Sequence, residues 1–276
     1  MLLTETAYAK LNLALHVRRR RVDSYHEIET LFAFCTDGDV LAADTADEIT
    51  LMIDGPFAQG LAVDENNLII RAAQALREAA GATMGARLHL TKNLPIASGI
   101  GGGSADAAAA LRVLRKLWGV EMDMSAIAIT LGADVPACLF SQTARGEGVG
   151  EALTIMGDGL NGTPVLLANP RVGVSTSAIF KAWDAVDRGP LTRGEELLTL
   201  AQSARNDLTP LAIALAPVIA DVLAALERQA GTTLVRMSGS GATCFALFES
   251  ADARDAAHAA IAREHPDWWL LASRLR

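Results

Sequence analysis

The sequence has few basic residues, few cysteines and few aromatic residues, and the first shortage limits what the protein can bind. Lys and Arg number 24 against 32 Asp and Glu, which gives a net charge of −8. Binding to nucleic-acid phosphates needs clustered positive charge, so this balance argues against a general nucleic-acid binder. The one basic run, Arg18–Arg21, is interpreted as a solvated strand end and is assigned no chemistry.

The cysteines are Cys35, Cys138 and Cys244, an odd number at wide spacing. They fit neither a disulfide framework nor a zinc site with paired ligands, so we expect free thiols in a reducing cytosol. The N-terminal segment has no basic leader, and Glu5 and Lys10 interrupt the apolar core that a signal peptide needs. A cytoplasmic location is therefore expected.

Long uninterrupted apolar runs are also missing. The longest apolar segment begins at Leu208, but it contains Pro210, Pro217 and Asp221. It predicts a core helix with a proline break rather than a membrane span. With 51% hydrophobic and 20% charged residues over 276 positions, the chain is expected to fold into one large or two modest globular domains.

Glycine is instead concentrated in "NLPIASGIGGGSADAAAALRVL", which begins at Asn93 and places four glycines in front of an alanine-rich run. The segment before it predicts a helix from Asn67 to a stop at Gly81, then the strand "ARLHLTKNLP". The alanine-rich run predicts a helix with Ser104 as N-cap and Gly119 as its end. The local order is therefore strand, glycine loop and helix.

A glycine loop that opens a helix can bind an anion, because free N–H groups and the positive end of the helix dipole point at the ligand. Phosphate is the predicted guest, and a tight structural turn is the alternative. Three common phosphate-binding designs do not fit. No lysine follows the glycines as in a Walker A loop, Ser104 replaces the third glycine of a Rossmann loop, and protein-kinase signatures are absent.

A second feature is the strand "AYAKLNLALHV", in which apolar residues occupy every second position from Ala9 to Val17. This period is typical of a half-buried strand. The other face carries polar or aromatic side chains, namely Tyr8, Lys10, Asn12 and His16. Taken alone, an exposed strand face is the better interpretation, and a ligand-facing surface is the alternative.

A third feature is "LGADVPACLF", where Asp134 lies between Gly132 and Pro136. Phosphoryl transfer to an alcohol needs a group that orients or deprotonates the hydroxyl and cations that hold the phosphoryl charge. Asp134 can serve the first need and Lys10 the second. The alternative for Asp134 is a structural role at a turn or helix end.

The chain changes composition between Gly146 and Pro164, which predicts a domain boundary near Asp158. Beyond it, strands and helices alternate irregularly, which indicates an α+β second half. Its segment "MSGSGATCFALF" places Gly239 and Gly241 before an apolar strand. These glycines indicate either a second backbone approach to a ligand or only a turn.

These blocks, in this order, resemble the three motifs of the GHMP kinases, which phosphorylate small molecules; "PIASGIGGGSADA" matches the middle motif. Five blocks are similar to the branch that phosphorylates the 2-hydroxyl of the methylerythritol part of a cytidine-diphosphate substrate: "AKLNLAL", "DSYHEIETLF", "DENNLIIRAA", "LGADVPACLF" and "GEGVGEAL". The similarity runs from near residue 7 to at least Phe248. It implies a two-domain α+β fold, with an N-terminal nucleotide-binding α/β domain over residues 1–157 and a C-terminal α+β domain over 158–276 that completes the substrate cleft.

The resemblance also implies ATP and Mg²⁺ as cofactors, Lys10 and Asp134 as the catalytic pair, and a set of binding residues. The predicted ATP loop consists of Pro95, Ile96, Ala97, Ser98, Gly99, Ile100, Gly101, Gly102, Gly103, Ser104 and Ala105. Tyr25 and Phe180 are predicted to stack on the pyrimidine base, while Asn12 and His26 offer hydrogen bonds to its edge.

The loop departs from the family pattern at several positions. One of them is Ala105, which stands where a second serine is frequent, so the metal ligands are left unassigned. Ser104 remains a candidate ligand. Two alternatives stay open at this point: another GHMP activity, of the homoserine or mevalonate type, and a nucleotide-binding module without catalysis. The expected partner is a small cytidine-diphosphate substrate, with no nucleic acid or membrane, and the expected state is a monomer or weak homodimer.

Overall fold

A computed structural model describes residues 2–194 and 196–276, and its compact units are not contiguous in sequence. The first unit contains the N-terminal segment up to Ala9, then Asp37–Ile96 and Gly101–Ser141. The second contains Lys10–Thr36, Ala97–Ile100 and Gln142–Arg276. The predicted α+β class with two units is confirmed, whereas the division into domains at residues 157 and 158 stays a prediction.

Two long strands contribute residues to both units, and the first unit adds two strands and a group of helices. The elements are β1 (Leu3–Arg20), β2 (His26–Ala46), β3 (Ile49–Asp54), α1 (Leu68–Ala80), β4 (Gly85–Thr91), α2 (Gly102–Trp118), α3 (Ser125–Leu131) and α4 (Val135–Phe140). In this unit β4 pairs antiparallel with β2 from Val40 to Ala46, and parallel with β3. Helices α1, α3 and α4 each pack against α2.

Helix ends in the first unit follow the capping rules with one correction. The Asn67 side chain caps α1, and Gly81 and Gly119 end α1 and α2 in the left-handed conformation. The prediction of Ser104 as the N-cap of α2 is wrong, because Gly101 is the N-cap and Ser104 lies in the first turn. Glycine at this position provides a positive φ of 66° but no side-chain acceptor for the first N–H groups.

The second unit is built mainly from the C-terminal half of the chain. Its further elements are β5 (Ala144–Glu147), β6 (Ala152–Ile155), β7 (Pro164–Asn169), α5 (Thr176–Lys181), α6 (Leu197–Ser203), α7 (Thr209–Leu215), α8 (Val218–Glu227), β8 (Thr232–Met237), β9 (Cys244–Phe248), α9 (Ala251–Glu264) and β10 (Trp269–Arg274). Strands β10, β7, β9 and β8 form an antiparallel sheet in that order. Strand β5 pairs with residues 30–32 of β2 and with β6.

The predicted apolar segment after Leu208 forms core helices, as expected. It divides into α7 and α8, and Pro217 stands at the break between them as the N-cap of α8. Both helices contribute to a core that includes Ile219, Val222 and Phe248. Within the described residues, no helix is both long enough and apolar enough to cross a membrane.

Strand β1 differs from the expectation of an exposed polar face. Every residue from Ala9 to Val17 is buried, and Lys10, Asn12 and His16 are each at most 3% exposed. The alternation of apolar and polar residues is real, but it distinguishes two buried faces. A polar face inside a protein needs partners for its hydrogen-bonding groups, so this strand is a place to look for a site.

The three cysteines are buried, and none of them forms a disulfide, as the sequence predicts. Burial in apolar surroundings raises the pKa of the Cys244 thiol far above its usual range. A thiol in that state is a poor nucleophile, because the thiolate is the reactive form. Cys244 therefore has a packing role on β9.

Candidate active site

The glycine loop adopts backbone conformations that ordinary side chains rarely take. Ala97, Gly99 and Gly101 have φ values of 50°, 78° and 66°. Directly after Gly101 the chain enters α2, whose first N–H groups have no intrahelical acceptor. The donor set at this point is the one that phosphate oxygens require, so the first turn of α2 fits the triphosphate of a nucleotide.

The second glycine-rich segment supports the loop directly. Residues 238–243 form a turn between β8 and β9, and Thr243 N donates to Ser98 O at 3.0 Å. Ser238 Oγ donates to Gly99 O at 2.9 Å. A Cβ added at Gly239 would lie 2.8 Å from Gly99 O. The turn therefore packs against residues 98 and 99 through backbone atoms and the Ser238 hydroxyl. A direct ligand contact by it stays a prediction.

Gly99 is the position in the loop where substitution should cost most. A Cβ there would lie 2.3 Å from Ser238 O and 2.8 Å from Gly241 N, and its φ is 78°. Because both obstructing atoms are backbone atoms, Gly99→Ala should reduce the free energy of unfolding by about 2 kcal/mol or more. It should also weaken ATP binding. Urea denaturation and nucleotide titration measure the two effects.

Gly60 provides the matched control for this prediction. Its φ is 82°, yet nothing lies within 4 Å of an added Cβ. Gly60→Ala therefore carries only the conformational cost of a positive φ, about 1 kcal/mol. Equal denaturation midpoints for the two variants would contradict the steric argument.

Lys10 is buried beside this loop. Its N–H donates to Ile100 O at 3.0 Å, and its ammonium donates to Asn12 Oδ1 at 2.9 Å and lies 5.2 Å from the centre of the Phe32 ring. The Asn12 amide in turn donates to Thr30 Oγ1 at 2.8 Å, and Asn12 N donates to Ser238 Oγ. Asn12 thus orients Lys10; its predicted contact with a pyrimidine stays a prediction.

Asp134 belongs to the first unit, where it is half-buried directly before α4. It occupies the N-cap position, but its side chain makes no capping hydrogen bond to α4. The alternative of a purely structural cap therefore loses its main support. The meeting of Asp134 with Lys10 stays a prediction.

Three of the residues predicted to bind the pyrimidine carry rings: His26 is buried, Phe180 is half-buried and Tyr25 is exposed. The His26 ring lies 5.1 Å from the Phe180 ring and meets the Trp183 ring edge-on at 5.6 Å. Arg20 Nε donates to His26 Nε2 at 3.4 Å. Burial, followed by the charge of Arg20, lowers the pKa of His26, so its ring is neutral at physiological pH. Tyr25 is 59% exposed, which leaves its ring available to stack on a ligand.

Sequence reasoning missed Trp183 and Thr30, and it missed an ionic cluster beside the loop. Trp183 is 6% exposed, and its indole N–H has no hydrogen-bond partner. Of these residues, only Trp183 had a visible signal in the sequence. It is an aromatic residue three positions after Phe180, close to the spacing at which side chains on a helix are neighbours.

The missed ionic cluster consists of Lys92, Asp39 and Asp106. Lys92 Nζ donates to Asp39 Oδ2 at 2.5 Å and to Asp106 Oδ2 at 2.6 Å. Sequence reasoning placed Asp106 in the first turn of the helix and attached no partner to it. Lys92 and Asp39 lie 14 and 67 positions before Asp106, and no periodicity connects them.

A metal ion would have few protein ligands here. Among the described residues, no three His, Cys, Asp or Glu side chains converge as a metal site. Mg²⁺ is commonly held by one or two protein groups together with substrate phosphates. Ser104 lies in the first turn of α2, and its role as a metal ligand stays a prediction.

Two protein-family models match the parts of the chain that contain the glycine loop and the turn that supports it. The model of the GHMP kinases N terminal domain matches residues 67–142, and the model of the GHMP kinases C terminal domain matches residues 183–267. The first range includes the glycine loop and Asp134, and the second includes the supporting turn at residues 238–243.

Relatives that match over nearly their whole length show which kind of GHMP kinase this chain resembles most. Proteins named 4-diphosphocytidyl-2-C-methyl-D-erythritol kinase from Rhizorhabdus wittichii and Sphingopyxis alaskensis are 54% and 50% identical to this chain. The matches cover 99% of this chain and 94% and 98% of the relatives.

Solved structures show the same fold. A crystal structure of 4-(cytidine 5'-diphospho)-2C-methyl-D-erythritol kinase is 36% identical, with a TM-score of 0.85 and 99% of each chain covered. Homoserine kinase from Cytophaga hutchinsonii shares the fold alone, at 18% identity and a TM-score of 0.74, with 99% of this chain and 95% of that chain covered. The chain therefore belongs to the GHMP kinase superfamily and, within it, to the family of 4-diphosphocytidyl-2-C-methyl-D-erythritol kinases.

Proposed function

We propose that the protein uses ATP to phosphorylate the 2-hydroxyl of 4-diphosphocytidyl-2-C-methyl-D-erythritol, a step of non-mevalonate isoprenoid precursor biosynthesis. The observation that carries this proposal is the position of Lys10. A buried ammonium lies on a strand whose backbone is hydrogen-bonded to the glycine loop, and Asn12 holds it in place. Such a cation beside a phosphate-binding loop suits phosphoryl transfer better than passive nucleotide binding.

The reaction is a direct transfer. The substrate hydroxyl oxygen forms a bond to the γ-phosphorus of ATP, the bond from that phosphorus to the bridging oxygen breaks, and ADP leaves. Asp134 accepts the hydroxyl proton, and Lys10 stabilises negative charge on the moving phosphoryl group. N–H groups at the start of α2 hold the phosphates. Mg²⁺, with Ser104 as its candidate protein ligand, supplies further positive charge to the phosphates when it is bound.

The aromatic cluster in the second unit supports a pyrimidine as the recognised group. Phe180 and Tyr25 supply ring faces, and neutral His26 supplies a ring that can donate or accept a hydrogen bond. Phe180→Ala should raise the KM for the cytidine substrate roughly three- to ten-fold, because it removes one stacking wall, and should leave the KM for ATP unchanged.

Trp268 is the control for this substitution. It is an aromatic residue of the same unit whose ring stacks on His265 at 3.7 Å. Trp268→Ala should leave both KM values unchanged. Steady-state kinetics with each substrate varied in turn distinguish the two variants, and a Phe180 variant with an unaltered KM for the cytidine substrate would remove Phe180 from the pocket.

ADP release from ATP and magnesium, measured with a panel of alcohols, tests the function itself. The panel contains the cytidine-diphosphate methylerythritol compound, homoserine and mevalonate, and a second series adds cytidine nucleotides as competitors. We expect turnover with the first compound alone and competition by cytidine nucleotides. Turnover with homoserine or mevalonate, without turnover of the cytidine compound, would overturn the acceptor assignment.

A further inference from the structure

The basic run Arg18–Arg21 has no role in the proposed mechanism, and the structure separates one of its members from the other three. Three of the arginines form ion pairs with carboxylates, namely Arg18 with Glu29 and Asp187, Arg19 with Glu27, and Arg21 with Asp23. Arg20 forms no ion pair with a carboxylate of the described residues. Its guanidinium lies instead against the ring cluster of the second unit, so this cation has a different role from its neighbours.

Arg20 connects His26 to helix α5. Its Nε donates to His26 Nε2 at 3.4 Å, and its Nη2 donates to Lys181 O at 3.3 Å. Lys181 is the last residue of α5, and Phe180 precedes it on the same helix. The guanidinium therefore joins the histidine to the helix that carries the predicted stacking ring.

The hydrogen bond from Arg20 determines which nitrogen of His26 carries the proton. A guanidinium has only donor N–H groups, so His26 Nε2 must be the acceptor. A neutral imidazole has one protonated nitrogen and one acceptor nitrogen, and the proton of His26 is therefore on Nδ1. Nδ1 itself has no hydrogen-bond partner among the described residues. His26 thus offers a ligand a donor and not an acceptor.

Contacts with two other rings restrict the direction of this donor. The Phe180 ring lies 5.1 Å from the His26 ring at an interplanar angle of 37°, and the Trp183 ring meets it edge-on. A flip of the imidazole would exchange Nε2 for a carbon atom and break the hydrogen bond from Arg20. The donor is therefore oriented before a ligand binds, which reduces the entropic cost of binding.

A fixed donor distinguishes the two common pyrimidines at one ring position. Atom N3 of cytosine is an acceptor, whereas N3 of uracil carries a hydrogen and is a donor. The Nδ1–H group of His26 can pair with the first, but in the same pose it opposes the second. Two donors that face each other both stay unpaired, and a site built for a hydrogen bond rejects an analogue that cannot form it.

We propose that Arg20 is a positioning residue that holds His26 in the Nδ1-protonated form, and that this form selects cytosine over uracil in the substrate. The inference rests on the proposed function in placing a pyrimidine beside His26. Arg20 acts through the histidine, and no contact between Arg20 and the substrate is needed. A role is thereby assigned to the one arginine of the run that has no carboxylate partner.

Calorimetric binding of cytidine 5'-diphosphate and uridine 5'-diphosphate tests the selection. A saturating non-hydrolysable ATP analogue with magnesium keeps both compounds out of the nucleotide loop, and a pH of about 8 keeps the histidine neutral. The wild type should bind the cytidine compound roughly ten-fold or more tightly than the uridine compound. Arg20→Met removes the donor and makes both forms of His26 accessible, so this ratio should fall roughly three- to ten-fold.

Two further single variants separate the donor from a general effect of the charge. Arg20→Lys keeps a side chain that can donate but not accept, so its ratio should stay within about two-fold of the wild type. Arg19→Met is the matched control on the same strand, because the Arg19 side chain is 73% exposed and pairs with Glu27. Its ratio should equal that of the wild type.

A double substitution shows whether Arg20 acts through His26. In a His26→Ala background there is no imidazole left to orient. Arg20→Met should then change the ratio of the two affinities by less than about two-fold, although it lowers the ratio when His26 is present.

NMR of the protein with isotopically labelled histidine nitrogens reads the protonated atom directly. Protonated and unprotonated ring nitrogens differ in chemical shift, and His26→Ala identifies the signals of His26. The wild type should show a protonated Nδ1, and Arg20→Met should show a mixture of both forms. Because the first result needs no Arg20 variant, it decides the matter even if Arg20→Met does not fold.

Three outcomes would overturn the inference. These are a proton on Nε2 of His26 in the wild type, an unchanged affinity ratio in folded Arg20→Met, and an equal loss of affinity for both compounds in that variant, which would make Arg20 a ligand of the diphosphate. Failure of the acceptor assay with intact selection of the cytidine compound would overturn only the acceptor assignment. A wild type that binds neither compound would overturn the pyrimidine part of the proposed function and this inference with it.

Discussion

Replacing Asp134 by Asn should lower kcat roughly 10²- to 10⁴-fold while the affinity for ATP stays within two-fold of the wild type. Asn keeps the size and shape of the side chain but cannot accept the hydroxyl proton. The side chain makes no capping hydrogen bond to α4, so its substitution should not unfold the helix. Single-turnover ADP release, with nucleotide titration on the same preparation, measures both quantities.

The same substitution at the exposed Asp47 is the control, and its kcat should equal that of the wild type. Circular dichroism and thermal unfolding establish that Asp134→Asn is folded. A folded variant with near-normal kcat would show that Asp134 does not act as the base. A large rise in the KM for ATP with unchanged kcat would show that Asp134 contributes to nucleotide binding and not to the chemical step.

The second large effect is expected at Lys10. Lys10→Met should lower kcat roughly 10²- to 10³-fold, because it removes a fixed positive charge from the place where the phosphoryl group is transferred. It should change the free energy of unfolding by less than about 1 kcal/mol, because relief from burying a charge offsets the loss of the hydrogen bond to Asn12 Oδ1. The Lys10 side chain is 3% exposed and packs over Phe32, so an unbranched apolar side chain fits the same space without the cost of burying a charge.

A large loss of activity with little change in stability makes the prediction for Lys10 specific. The control is Lys116→Met on α2, where the side chain is 62% exposed and pairs with Glu5. Glu5 keeps Arg112 as an ionic partner, so loss of the exposed Lys116 should change stability by less than about 1 kcal/mol and leave kcat unchanged. If Lys10→Met retains wild-type kcat, Lys10 is a structural residue and the catalytic pair is wrong.

Local features of the fold were predictable because neighbouring residues specify them. Asn67 and Gly81 delimit α1, and Gly119 ends α2, because capping is a property of a few adjacent residues. The phosphate-binding character of the loop is likewise local, since it depends on glycine φ angles and on a helix that begins at once. Ser104 was misplaced because Gly101 can adopt a left-handed conformation and begin the helix three residues earlier.

The polar residues of β1 show where local reasoning ends. Alternation predicted two faces correctly, but period-2 patterning cannot say whether the polar face meets water or protein. The burial of Lys10, Asn12 and His16 depends on contacts with distant parts of the chain, such as Ser238 for Asn12 and Gly189 for His16. Such contacts have no signature in the residues around β1.

The sequence alone specified a kinase of this family, its glycine loop and the residue types available for transfer, since each of these resides in a short contiguous block. Long-range folding alone brought Asp39 to Lys92 and Asp106, and the turn at residues 238–243 to Gly99. The physical reason is that burial and ionic pairing are properties of atoms close in space. Their energies depend on the dielectric environment and partners that the folded chain supplies, and not on separation along it.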